Sequence, residues 1–358
     1  MAGDLLEIDG SVLEAGGQLL RNALALSVLT GTPIKISKIR ACRKKPGLAE
    51  QHMRGLQLVR DISRAKVIGC SIGSNEIEFW PFHNYGGNYD APVKTAGSIC
   101  LLLQVSLPCV LFANGPCELH LEGGTNVEMA PQLDYMTEVF KHYLKMFGGD
   151  FDFQLVTRGY YPVGKGKVII YTNPMKQLRP VTILDQGKVV KITGWSFVSG
   201  SLPMSITHAM AGKATNILTQ ITKRIEIEQY KESKYIAPVG NCSGIILVAE
   251  TSTGCFLGAS ALGKRNHTGE QTGAEAANHL LDNIISGACV DDYCQDQLII
   301  FMALAAGTSQ IKVAAITLHT KTAIYIAEMI TKAKFNIIEM DNYRIIECKG
   351  IGYQKRSD

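Results

Sequence analysis

Three short stretches concentrate residues able to do chemistry. The first is Lys38-Ile39-Arg40-Ala41-Cys42-Arg43-Lys44-Lys45-Pro46-Gly47, followed by Gln51 and His52, and it sets five cations within eight residues. Arg40 and Arg43 are three apart, and their bidentate forks can grip separate phosphate oxygens. A solvated surface loop has the same composition, so both readings stand at this point. The second stretch is Gly123-Gly124-Thr125-Asn126, just ahead of a helical pattern. Free amide donors and a bare backbone suit a phosphate there, and an ordinary turn uses the same residues. The third is Leu318-His319-Thr320-Lys321-Thr322. His319 ends an apolar strand pattern and starts a helix. A helix N-terminus carries partial positive charge and disfavours imidazolium, and a nucleophilic imidazole must be neutral. A hydrogen-bonded histidine at a strand end is the plainer alternative.

Two carboxylates accompany these stretches. Glu14 precedes the Ala15-Gly16-Gly17 turn, and Asp296 opens a helical pattern. A carboxylate beside a triphosphate is a natural ligand for magnesium, which prefers oxygen and keeps several waters; Asp296 could equally be a helix cap. Gly164-Lys165-Gly166 lacks the Walker A spacing and its closing Ser or Thr, so it is taken as a hairpin loop. No G-x-G-x-x-G follows a strand, which removes a dinucleotide fold. No histidine pair has metal-ligand spacing, and none of the 10 cysteines forms a C-x-x-C pair. Buried reduced thiols are expected rather than a zinc site.

These stretches recur at one place in a repeated plan. Segments starting at Gly16, Ala96 and Cys294 each open with a helix-period apolar pattern and continue as an alternating strand. A second helical pattern follows each (from Gly47, Met129 and Thr320), and then strands. The unit is helix, strand, helix, strands, and the chemistry sits where the inner strand meets the second helix. Helix pairs lying on small sheets bury one face of each element, so the fold class is α+β. Residues of about 182 to 286 do not fit the repeat. A strand (PVTILDQGKVVKITGWSFVS), a long helix, more strands and a closing helix mark them as a smaller inserted α/β domain. The large domain then comprises residues 1–181 and 287–358.

With 358 residues, 46% apolar and 19% charged, the chain is ordinary for a folded protein and wrong for a disordered one. The net charge of +4 is too mild to identify a partner. The opening MAGDLLEIDGS lacks a basic region followed by an apolar stretch, so no signal peptide is expected. No apolar run is long enough for a membrane span, and an intracellular, reducing compartment follows. The tail Lys355-Arg356 is too short to be a nuclear signal.

Taken together, these residues resemble the RNA 3′-terminal phosphate cyclase family, in its eukaryotic catalytic type. The resemblance spans the chain. It rests on Leu13-Glu14-Ala15-Gly16-Gly17-Gln18 with Arg21, Arg40-Ala41-Cys42-Arg43 before Pro46-Gly47-Leu48, and Lys94-Thr95-Ala96-Gly97-Ser98 with Gln104. It continues through Gly123-Gly124-Thr125-Asn126, Met129-Ala130-Pro131, Arg158-Gly159-Tyr160-Tyr161-Pro162, Asp296-Gln297-Leu298 and Leu318-His319-Thr320. Ala15 and Cys42 stand where the family commonly has glycine. The resemblance implies three repeats with an inserted domain, ATP with magnesium or manganese, and RNA 3′ ends bearing a phosphate as substrate. It implies His319 as nucleophile, Tyr293 and Pro131 around adenine, and Gln104, Asp296 and Gln297 as further nucleotide contacts. Arg21, Arg40, Arg43 and Gln51 would bind phosphates and Glu14 the metal. A nuclear (nucleoplasmic) location is likewise implied. Relatives without the histidine act as factors in ribosomal RNA processing; His319, Arg21, Arg40 and Arg43 are all present here. An enolpyruvyl transferase also has repeated helix-sheet units but needs no histidine nucleophile. A generic RNA-binding protein would show an aromatic RNP motif or a basic stripe, and neither is visible.

Overall fold

The computed structural model describes residues 5–237 and 239–355. Met1-Ala2-Gly3-Asp4 of the opening segment and Arg356 of the tail lie outside the described residues.

Each repeat is β-α-β-α-β-β. The first is β1 (Leu6–Asp9), α1 (Gly17–Thr30), β2 (Ile34–Ser37), α2 (Glu50–Ser63), β3 (Lys66–Ile68) and β4 (Ile77–Trp80). The second is β5 (Gly87–Pro92), α3 (Ile99–Leu111), β6 (Cys117–Gly123), a helical run and the hairpin β7 (Asp152–Thr157) and β8 (Gly166–Thr172). That run comprises α4 (Leu133–Tyr135), a π-helical turn (Met136–Phe140) and α5 (Lys141–Met146). The third repeat opens with β9 (Thr182–Ile183), and the chain then leaves for the inserted module. It returns as α8 (Gln295–Leu304), β14 (Thr308–Val313), α9 (Leu318–Thr331), β15 (Lys334–Glu339) and β16 (Arg344–Lys349). The three sheets share one order, β1-β2-β4-β3, β5-β6-β8-β7 and β9-β14-β16-β15.

Two sequence expectations need correcting. Each repeat opens with a short strand parallel to the next one, which the helix-first reading omitted; Leu6 pairs with Ile34, Gly87 with Cys117 and Thr182 with Gln310. The strand expected across Pro180–Ser199 is also two strands. Thr182–Ile183 belongs to the third repeat's sheet, and β10 (Val189–Val198) begins the inserted one.

Strand alternation buries one face of each sheet. In β6, Cys117, Leu119 and Leu121 point inward while the residues between them are half-exposed. The helices lie on the inward faces, and α1, α3, α8 and α9 pack against one another in one continuous core. Each buried Leu or Ile there contributes about 1.5–3 kcal/mol. The inserted sheet runs α6 (Ser205–Leu218), β11 (Ile225–Lys231), β12 (Ser243–Thr251), β13 (Phe256–Leu262) and α7 (Gly269–Ile285) after β10, in strand order β11-β10-β12-β13. Helices α6 and α7 cover one face. The other face meets the helical run of the second repeat: Tyr143 Oη donates to Phe256 O at 2.9 Å, and a Cβ on Gly258 would come within 2.6 Å of the Tyr135 ring. Residues 243–249 of β12 are therefore all buried. Among the described residues, no helix is long and apolar enough to cross a membrane.

Candidate active site

His319 is the second residue of α9. Thr317 caps the helix, its Oγ1 accepting the Thr320 N–H at 3.1 Å. Thr320 Oγ1 donates to Gln295 Oε1 at 3.0 Å, which ties the start of α9 to the start of α8. The backbone is thus fixed while the His319 side chain stays 57% exposed. Its Nε2 lies 4.0 Å from Glu14 Oε1.

Glu14 sits in the loop between β1 and α1. Its N–H donates to Thr322 Oγ1 at 3.2 Å, linking that loop to α9. Oε1 pairs with Arg43 Nη2, and Oε2 is buried with no partner. The flanking Leu13 and Ala15 hold left-handed φ values of 58° and 51°. Ala15 thus adopts the conformation that a glycine reaches more easily. Gly16 and Gly17 are needed for space, since a Cβ on Gly16 would strike the Glu14 carboxylate and one on Gly17 would strike His52 Nε2.

Behind this loop lies a seam of cations. Arg21 Nε donates to Gln104 Oε1 of α3 at 3.1 Å. Burial pulls the Arg21 guanidinium down to about 10, with Asp296 and Glu14 opposing, so it remains charged at neutral pH. His52 Nδ1 accepts the Ala49 N–H at 3.3 Å. Burial, then Arg21, Arg40 and Arg43, push its imidazole down to about 3. Arg40 turns its guanidinium onto its own loop, donating to Lys45 O at 2.9 Å and Gly47 O at 2.7 Å. Burial and then Arg43 lower its pKa, with Glu14 opposing. Gln51 Oε1 accepts the Ser98 N–H at 2.7 Å, at the start of α3.

On the opposite side, burial pushes Asp296 up to about 7 against the pull of Arg21, and Gln18 Nε2 donates to its Oδ2. Gln297 Nε2 donates to Tyr293 O at 2.7 Å, while its Oε1 is buried without a partner. The Tyr293 ring stands edge-on to Tyr135 and His279, with centroids 5.8 and 4.7 Å away.

A cleft of about 620 Å³ opens between the repeats and the inserted sheet, and His319, Arg21, Gln104, Pro131, Tyr293 and Asp296 all line it. Lys264 and Glu275 of the inserted module form its far wall. Glu14 and Arg43 adjoin it through His319. Arg40, Gln51 and Gln297 support it from behind and do not line it. The arrangement sets an accessible imidazole, a half-buried cation, a tyrosine and a proline along one cleft, which suits attack on the phosphate of an aromatic-based ligand.

The sequence model of the RNA 3′-terminal phosphate cyclase family matches residues 12–337. This chain belongs to the RNA 3′-terminal phosphate cyclase family. An RNA 3′-terminal phosphate cyclase of Drosophila melanogaster is 41% identical over 352 residues, covering 98% of this chain and 97% of that one. A probable RNA 3′-terminal phosphate cyclase of Dictyostelium discoideum is 39% identical over 97% of this chain and 83% of its own. An RNA 3′-terminal phosphate cyclase of Pyrobaculum neutrophilum is 37% identical over 97% of this chain and 99% of its own.

In this cyclase-family site, two supports were not visible in the sequence. Asp291 is fully buried and takes Tyr135 Oη–H, Gly258 N–H at 2.7 Å, Tyr293 N–H at 3.0 Å and Cys294 N–H at 2.9 Å. It fixes the turn carrying Tyr293 to both the second repeat and the inserted sheet. Burial raises its pKa to about 6, with the Tyr135 hydroxyl opposing. The second support is Arg158, which grips Asp134 with both Nη atoms at 2.7 and 2.6 Å and lies 3.1 Å from Glu232 of the inserted module. For a metal ion, the described residues contain no cluster of three or more His, Cys, Asp or Glu side chains. Magnesium held chiefly by phosphates and water needs only one or two carboxylates, and the unpartnered Glu14 Oε2 fits that role.

Proposed function

We propose that this chain uses ATP to convert an RNA 3′-terminal phosphate into a 2′,3′-cyclic phosphodiester, with AMP carried on His319. The carrying observation is the shared cleft: an exposed imidazole, a desolvated Arg21, and Tyr293 with Pro131 on one surface.

An imidazole nitrogen of His319 attacks the α-phosphorus of ATP. The N–P bond forms as the bond to pyrophosphate breaks, and pyrophosphate leaves with the electron pair. An oxygen of the RNA 3′-phosphate then attacks the same phosphorus, the N–P bond breaks, and the imidazole is restored. The RNA now ends in a diphosphate linked to adenosine. Its 2′-hydroxyl attacks the 3′-phosphorus, loses its proton, and expels AMP. A phosphate dianion has no good leaving group of its own, and adenylation supplies one, so the relay splits a difficult step into easier ones.

Glu14 Oε1 lies 4.0 Å from His319 Nε2, beyond hydrogen-bond reach, and would act on the ring through its charge. Arg43, paired with Glu14, would turn a guanidinium donor to the phosphate. Arg21, hydrogen-bonded to Gln104, and Gln104 itself line the cleft and would meet the nucleotide there. Arg40 holds the basic loop closed through Lys45 O and Gly47 O, and Gln51 fixes the start of α3. A magnesium or manganese ion, when bound with Glu14, would neutralise phosphate charge.

The test is an oligoribonucleotide ending in a 3′-phosphate, mixed with the protein, ATP and magnesium. The reading expects an ATP-dependent end that resists phosphatase. The matching DNA end, without a 2′-hydroxyl, should stop as the adenylate. No ATP-dependent change at the RNA end would remove the reading.

A further inference from the structure

Two of the barest side chains in the molecule are tyrosines. Tyr161 is 77% exposed and Tyr235 is 91% exposed. A tyrosine offers a flat apolar face with a polar tip, which suits contact with a ligand that is part ring and part wet. They lie on different modules, Tyr161 after β7 of the second repeat and Tyr235 after β11 of the inserted sheet. One residue holds both loops. The Arg158 N–H donates to Ile236 O, next to Tyr235. Its guanidinium grips Asp134 and contacts Glu232, so Tyr161 and Tyr235 each lie three residues from a member of one partly buried ion triad. Tyr160, between Arg158 and Tyr161, is buried and stacked on Phe197.

This ledge continues the cleft. Tyr160 bridges to Asn126, and the cleft wall runs from Val127 to Gln132 immediately after it. Asp134, the anion that Arg158 grips, follows the same wall. Lys165 and Lys234 are exposed on the two loops, and Arg158 offsets Glu232, so the ledge offers cations beside bare rings. We infer that Tyr161 and Tyr235 form a platform that stacks unpaired bases of the RNA strand as its 3′ end enters the cleft. Aromatic faces accept any base, and lysines follow the phosphates, which is how single strands are bound without sequence preference. The inserted module thereby gains a task, supplying half of the strand's footing.

This inference rests on the proposed function, so the experiment separates the two. A fluorescent oligoribonucleotide with a 3′-phosphate is titrated into wild type, Tyr161→Ala, Tyr235→Ala and the double variant. Transfer of AMP from ATP to each protein is measured without RNA. Each single variant should weaken RNA binding about five- to 150-fold, the double variant more, and Tyr→Trp changes should retain it. The loss should appear as a raised KM for RNA, with AMP transfer kept. Unchanged RNA affinity in the double alanine variant would overturn the platform. A wild-type protein that binds the RNA but takes no AMP would overturn the proposed function and leave the platform standing.

Discussion

Acidification from about pH 7.5 to about pH 5 should remove stability at His52, against the opposite contribution of the raised Asp291 and Asp296 carboxyls over the same range. The His52 imidazole is walled in by Gly17, accepts the Ala49 N–H, and faces Arg21, Arg40 and Arg43. In the unfolded chain it titrates near 6.5, and in the fold it is held down to about 3. A folded value below the unfolded one means that stability is fully present above 6.5. It is lost as pH falls towards 3, because only the unfolded chain takes up the proton. At about pH 5 the unfolded chain is 1.5 pH units below its midpoint while the folded site is still neutral. At about 1.4 kcal/mol per unit, the loss is about 2 kcal/mol. The assay is urea unfolding of wild type and His52→Gln at several pH values. Other titrating groups are common to both proteins, so the difference between the two curves isolates this site. Wild type should lose about 2 kcal/mol more than the variant between the two pH values. Parallel curves would refute the claim that His52 is kept neutral by burial among arginines.

Arg158→Met should cost about 3–5 kcal/mol in urea unfolding, because it leaves Asp134 and Glu232 buried without their cation. Part of that loss should return as pH falls and the carboxylates protonate; Arg158→Lys should be milder. Gly17→Ala should lower AMP transfer by more than tenfold (on the order of 10²), since its Cβ would meet the His52 ring and come within 3.0 Å of Arg21 Nη1, pushing both side chains aside; circular dichroism should still show a folded protein.

Much of the fold was legible because three segments repeat one amphipathic plan, and the helices from Gly17, Ile99 and Gln295 all lie where the apolar period places them. The opening strands were not legible. β1 and β5 have four and six residues, β9 has two, and β5 begins with Gly and ends with Pro. Such strands carry too little alternation to show, and their parallel partners lie across a helix. The break between β9 and β10 was hidden for another reason. Gln186 leaves the strand to donate to Ala288 O at 2.7 Å, a tertiary contact absent from any local pattern.

The site shows the same division. His319 and Arg43 could be picked out because each sits on a short motif at a strand-to-helix junction, while Glu14 and Arg21 flank the Ala15-Gly16-Gly17 turn, and the fold sets Glu14 beside Arg43 and 4.0 Å from His319. Asp291 and the Asp134–Arg158–Glu232 triad could not, since their meaning lies in partners that distance along the chain conceals. Arg40 shows what composition leaves out: a basic loop suggests phosphate grips, and one nitrogen of the Arg40 guanidinium also holds the loop itself through Lys45 O and Gly47 O.

The most direct measurement is the mass and chemistry of His319 after exposure to ATP and magnesium. The account expects one AMP on this residue, in a phosphoramidate that survives alkali and is lost in acid, and none on His319→Ala. AMP that remains attached to His319→Ala, or a bond with the opposite stability, would contradict it.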